Sequence, residues 1–311
     1  MAIELNIDQY GSKARHSAIA DYLEALALSG HKASVSDLGD YLADNGWQDK
    51  LREHYSGPGM DDDSGAMGPS SSEDHARRTF DLLDQRRRLL GTDYPFSVQD
   101  SGVEFKESPE GGCRYLVLLG ITLAHSYNLE TASKLDPKAI LEDVTVEVMN
   151  TRLVRAVKTA FASQTGTFDE CLIATAETLG LKAMPGGVIK SRYAKDEGVD
   201  VLGVFDWNDD LRPGRWTFIG QVTCAKSDEW KKKLGEPSPM KWMNLLGVKV
   251  PPVTFLAVPY HVQHGHLLSL VTDRAAAVLD RVRMTPFVPS GVPEFNEFAT
   301  LARNAPVTHF F

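Results

Sequence analysis

Gly198-Val-Asp-Val-Leu-Gly-Val-Phe-Asp206 and Trp216-Thr-Phe-Ile-Gly-Gln-Val-Thr-Cys-Ala-Lys226 decide how this chain is read. Each is a short, mainly apolar run rich in β-branched residues and bounded by turn formers, the pattern of a strand. The intervening Asn208-Asp-Asp-Leu-Arg-Pro-Gly214 suits a hairpin loop. Side chains alternate along a strand, so Val199, Val201 and Gly203 fall on one side and Asp200, Leu202 and Val204 on the other. A carboxylate opening an apolar face is costly unless water, a partner or a cation compensates it. On the second strand Gln221 and Thr223 share a face, and Lys226 follows where the strand gives out. The obvious hairpin register gathers Asp200, Gln221 and Lys226 at one end of a sheet.

Around this hairpin the chain alternates helix and strand. Pro137 to Ser163 reads as one long helical stretch, broken near Asn150, and Thr167 to Leu179 as a helix capped by Thr167 and closed by Gly180. A strand is expected around Val188 to Tyr193, another at Val253 to Tyr260, and a closing helix at Asp273 to Arg283. The order predicts an α/β domain with a mixed sheet over residues 131–311. Upstream, Ser17 to Leu28 carries apolar residues at helical spacing, and Ser34 stands ready to cap a second helix. Residues 56–74, rich in Gly, Ser, Pro and Asp, read as a flexible segment. A helix from His75 to Leu90, two short strands around Gln99-Asp-Ser-Gly102 and an apolar helix from Tyr115 to His125 complete a helical accessory or regulatory region over residues 1–130. Helices with a small hairpin resemble a winged-helix module.

Composition narrows the function. The 311 residues are sufficient for two modest domains. Three scattered cysteines, Cys113, Cys171 and Cys224, support neither a disulfide framework nor structural zinc, which implies a reducing cytoplasmic setting. No apolar run approaches the ~20 residues a membrane span needs. The net charge of −9 divides unevenly: residues 1–150 carry 14 basic against 26 acidic side chains, residues 151–311 carry 19 against 16. An acidic front half is a poor grip for a phosphate backbone, so it is expected to contact a protein partner or a second copy, or to hold the back half in check.

Ile219-Gly-Gln-Val-Thr-Cys-Ala-Lys226, followed by Trp230 and Lys231-Lys-Lys-Leu234, is similar to the G-Q-C-A-T-G-K-x-W-x-x-K-L segment of restriction-like proteins found among bacterial anti-phage genes. With Asp200 at the start of the preceding strand, the arrangement resembles the PD-(D/E)XK, or restriction-endonuclease-like, nuclease superfamily in its Mrr-like branch, over about residues 136–285. Gln221 stands where a Glu is usual, and Thr223 takes the place of the lysine, with Lys226 as a migrated substitute. The resemblance implies a Mg²⁺- or Mn²⁺-dependent DNA endonuclease acting in anti-phage defence or restriction. It assigns the metal to Asp200, the Gln221 side-chain oxygen and the Val222 carbonyl, and gives Lys226 the task of orienting water or stabilising the phosphate. A helix acid completes the set: Glu170 is favoured, with Asp169 and Glu142 as alternatives. Such chemistry fits the residue types, because a hard cation held by oxygens polarises a phosphate and acidifies an attacking water. Losing one carboxylate leaves a second reading open, a non-catalytic subunit that binds nucleic acid or protein.

Other features have ordinary readings beside functional ones. His261, His264 and His266 suit zinc by spacing, yet loop histidines after a strand are also plain surface groups. Trp207, Trp216, Trp230 and Trp242 would stack on bases or fill a core. Pro185-Gly-Gly-Val-Ile-Lys190 lacks the spacing of a phosphate-binding loop.

Overall fold

The computed structural model describes residues 2–52, 71–106, 111–152, 154–159, 161, 166–187, 197–207, 214–274 and 276–309. Helices α1 (Arg15–Leu28), α2 (Val35–Asp44), α3 (Gln48–Arg52) and α4 (Ser72–Leu90) precede an antiparallel hairpin of β1 (Phe96–Gln99) and β2 (Gly102–Phe105), and α5 (Gly111–Tyr127) follows. Next come α6 (Pro137–Asn150), β3 (Val154–Lys158), α7 (Phe168–Thr178), β4 (Val201–Phe205), β5 (Thr217–Val222), α8 (Trp230–Leu234), α9 (Pro239–Leu245), β6 (Val253–Ala257), α10 (His264–Arg274), β7 (Ala277–Leu279), α11 (Arg281–Met284) and α12 (Pro293–Asn304). The fold is mixed α/β. Its main sheet runs β3-β4-β5-β6-β7, antiparallel across the first three strands and parallel across the last three.

Local chemistry explains the helix starts. Ser34 with Asp37, Ser71 with Asp74, and Thr167 with Glu170 each form a reciprocal capping box, satisfying N–H groups that a first helical turn leaves unpaired. Asp136 caps α6, with Pro137 at its first position.

Several expectations change. The helix expected to run through to Ser163 ends at Asn150; Val154, Ala156 and Lys158 then alternate on an edge strand paired antiparallel with β4. Ser71 to Asp74 belong to the start of α4 rather than to the Gly/Ser-rich stretch before it, while residues 53–70 lie outside the described residues. The closing helix divides into α10, β7 and α11. The strand expected at 188–193 also lies outside the described residues.

The boundary at 130/131 does not separate two cores. One apolar cluster joins Ile3, Leu26, Leu83 and Leu119 from the front of the chain to Val144, Val201, Val222 and Phe298 from the back. Ile3 bridges Val307, and α5 packs on α12 so closely that a Cβ at Gly120 would stand 1.9 Å from the Phe298 carbonyl oxygen. This same core lies under α6 on one face of the sheet. On the other face Leu202, Val204 and Ile219 pack with Leu172 of α7 and Trp242 and Leu245 of α9, while Leu256 and Val278 pack with Trp230 and Leu270.

The halves are also joined by charge. Asp21 and Glu24 of α1, Arg86 of α4 and Arg281 of α11 are fully buried. Arg281 grips both oxygens of Asp21 at 2.6 and 2.9 Å, and Arg86 reaches Asp21 at 2.5 Å and Glu24 at 2.8 Å. Tyr94 and Tyr115 donate to Glu24 at 2.7 and 2.8 Å, and Arg86 Nε donates to His261 Nδ1 at 3.2 Å. Two anions meet two cations, and Glu24 accepts two tyrosine hydroxyls besides.

Candidate functional site

Asp200 enters β4 through a tight left-handed turn. Glu197 and Gly198 both have positive φ, and a Cβ at Gly198 would stand 3.0 Å from the backbone of Glu236. Regular alternation then fails. The Asp200 N–H bonds the Gly220 carbonyl at 2.8 Å, although Val201 is the residue opposite Gly220, so two residues of one strand address one of the other. That is a bulge. In consequence Val199 packs with Leu202 and Val204, whereas Val201 packs on the α6 side. The Asp200 carboxylate turns toward α6, and its Oδ2 accepts the Val222 N–H at 2.8 Å.

Glu142, on α6 just beyond buried Leu141, lies close enough to feel its charge. Partial burial and the negative charge of Asp200 push the Glu142 carboxyl up to about 7. Two ammonium groups oppose the rise. Lys138 Nζ lies 4.0 Å from Glu142 Oε1; Lys158 of β3 pairs with Asp143 at 2.6 Å and donates to the Ala139 carbonyl at 3.1 Å. The carboxyl stays raised despite these lysines, with burial the largest cause and the Asp200 charge next. Cys224 lies in the same core, and burial pushes its thiol up to about 12, which leaves it unsuited to nucleophilic work.

The expected residues do not all gather here. Asp200 and Val222 meet, through a carboxylate and a backbone N–H. Gln221 alternates with Gly220 and Val222, so its buried side chain lies on the Ile219 side of β5, away from α6. Lys226 donates to the Asp8 carbonyl at 2.9 Å, and the residues after it are held by the N-terminal segment, Ser227 N–H on the Tyr10 carbonyl and Asp228 on Ser12. Glu170 closes the capping box with Thr167, whose hydrogen bonds hold its carboxyl below the usual range. Neighbouring Asp169 lies in the same first turn of α7. Of the helix acids considered, Glu142 is coupled to Asp200.

The three histidines separate. His261 is buried against Arg86, with burial and that guanidinium holding its imidazole well below the ordinary range; His264 is exposed at the start of α10; His266 stacks on Trp230 at 5.2 Å. Among the described residues no three His, Cys, Asp or Glu side chains are grouped to hold a metal. The Glu142 and Asp200 pair offers two hard oxygen donors, a set suited to Mg²⁺ or Mn²⁺ with water filling the remaining positions. No helix among the described residues is long and apolar enough to cross a membrane. Searches of family models, of curated proteins and of solved structures return no match to this chain.

Proposed function

We propose that the chain is a metal-dependent phosphodiesterase acting on DNA, a restriction-like endonuclease whose working acids are Asp200 and Glu142. The observation that carries this reading is the Glu142 carboxyl beside Asp200 at the start of β4, raised by its burial and by the Asp200 charge. A divalent ion would relieve that repulsion, and when bound it would polarise a phosphate and acidify water. Asp200 is held in place for such a role by the Val222 N–H, and α6 supplies Glu142 from the adjoining layer. Lys158 and Lys138 place positive charge beside the pair, where a phosphate would arrive. The succession of a helix acid, three antiparallel strands and a crossover to parallel strands supports a restriction-like sheet. Incubating the chain with plasmid DNA in Mg²⁺ or Mn²⁺ tests the reading: cleavage lost in both Asp200→Ala and Glu142→Gln is expected.

The second reading, a subunit that binds without cutting, is favoured by the position of Gln221 and by the engagement of Lys226 with Asp8. Absence of cleavage together with unchanged stability on adding Mn²⁺ would select it.

A further inference from the structure

Trp230 and Trp242 are fully buried, whereas Trp207 and Trp216 are 50% and 51% exposed. The exposed pair lie edge to face at 5.5 Å, and both rest on Phe205, at 4.6 and 5.8 Å. An indole offers about 150–250 Å² for burial, so leaving two adjacent ones half in water forgoes a large stabilisation. Trp216 continues the side of β5 that carries Phe218, Gly220 and Val222, and Phe205 continues the side of β4 that carries Val201 and Gly203. This is the face covered by α6, and the aromatic cluster lies five residues along β4 from Asp200, ~16 Å at strand rise.

A cation lies toward the same end of the sheet. Arg152 precedes β3 by two residues, and Val154 of β3 pairs with Phe205. Its guanidinium lies 3.6 Å over the Phe287 ring, exposed, with no carboxylate partner among the described residues. The nearby acid, Asp206, is 3.3 Å from Arg155. Flat rings paired with a ring-stacked guanidinium suit flat, anionic ligands: bases on the indoles and a phosphate on the fork.

We propose that Trp207, Trp216 and Arg152 form a platform for unpaired nucleotides of the strand that reaches the Asp200 and Glu142 site. The choice of occupant rests on the nucleic-acid reading above. A separation of ~16 Å spans about five stacked nucleotides. Paired bases hide their faces within the duplex, so the platform selects single-stranded or frayed DNA.

Anisotropy of a labelled twelve-residue oligothymidylate, titrated with the full chain in EDTA, tests this without any cleavage. Expected is binding that quenches tryptophan fluorescence and is tighter than for a duplex of equal length. The Trp207→Ala/Trp216→Ala double variant should bind at least about fivefold more weakly, with the phenylalanine pair largely restoring affinity. Arg152→Ala should reduce the salt slope by about 0.7. Unchanged affinity in a folded double-alanine variant, equal or tighter binding of the duplex, or quenching by a proline-rich peptide but not by the oligonucleotide would each overturn the proposal. Strand binding without Mn²⁺-dependent cleavage would remove the nuclease and leave the platform, and cleavage with affinity indifferent to both tryptophans would do the reverse.

Discussion

Two clusters of acid in this molecule obey the same electrostatics with opposite results. Around Arg86 and Arg281, Asp21 and Glu24 are buried completely, yet each is matched: burial alone would raise the Asp21 carboxyl, and the two guanidiniums hold it below its ordinary value. At the start of β4, Asp200 and Glu142 are only partly buried, and burial together with the Asp200 charge raises the Glu142 carboxyl to about 7. The depth of burial therefore does not by itself set the direction of a carboxyl's shift. The first cluster, its acids met by two guanidiniums, fastens α1 and α4 to α11; in the second, a half-buried carboxyl beside Asp200 is raised, an effect a bound divalent cation would reverse.

The comparison breaks most sharply at the arginines. Arg86→Ala or Arg281→Ala strands a buried carboxylate and should cost about 3–5 kcal/mol, visible as loss of soluble protein or a large drop in the denaturation midpoint. Deleting residues 1–130 removes most of both this cluster and the shared core, so an insoluble product is expected rather than a more active one. Asp200→Asn should keep the fold, because an amide oxygen still accepts the Val222 N–H, while Mn²⁺-dependent cleavage falls at least about a hundredfold.

Glu142→Gln sharpens the contrast by changing sign with pH. The folded carboxyl titrates near 7 and the unfolded one near its ordinary 4.5, so between these values the folded state holds more protons. The wild type loses stability as pH rises through that window. The glutamine variant should be more stable than wild type by about 1 kcal/mol at pH 8 and equal to it at pH 4, solvent screening having reduced the full repulsion. Thermal melts across pH 4–8 check this. Smallest is Lys226→Ala, which removes one exposed hydrogen bond to the Asp8 carbonyl and should leave cleavage within about twofold.

Much of the α/β architecture was legible because strands β4, β5 and β6 are apolar, short and bounded by turn residues. Asp200 was legible for the same reason, as a charge at the mouth of an apolar run. What alternation missed was the bulge: it depends on which carbonyl the Asp200 N–H chooses across the hairpin, a tertiary choice that leaves no mark in a one-dimensional pattern. That bulge is why Asp200 turns toward α6 while Gln221 faces away. Reading Val154 to Lys158 as helix hides Lys158, because adjacent Ala156 and Val157 interrupt any apolar–polar alternation that would mark a strand. Glu142 and Glu170 each sit on a helix among apolar neighbours. The Thr167 three residues before Glu170 is the sequence sign that it caps a helix instead. The shared core across residue 130 was invisible because charge asymmetry describes surfaces, and surfaces do not report what lies beneath them.

Calorimetric titration of Mn²⁺ into the intact chain at pH 7.5, repeated with Glu142→Gln and with Asp200→Asn, addresses the Asp200 and Glu142 pair most directly. One ion per chain, bound at least about tenfold more weakly by either variant and accompanied by proton release from Glu142 in the wild type, is the predicted result. No heat above dilution, or identical binding in all three proteins with no proton released, would contradict it.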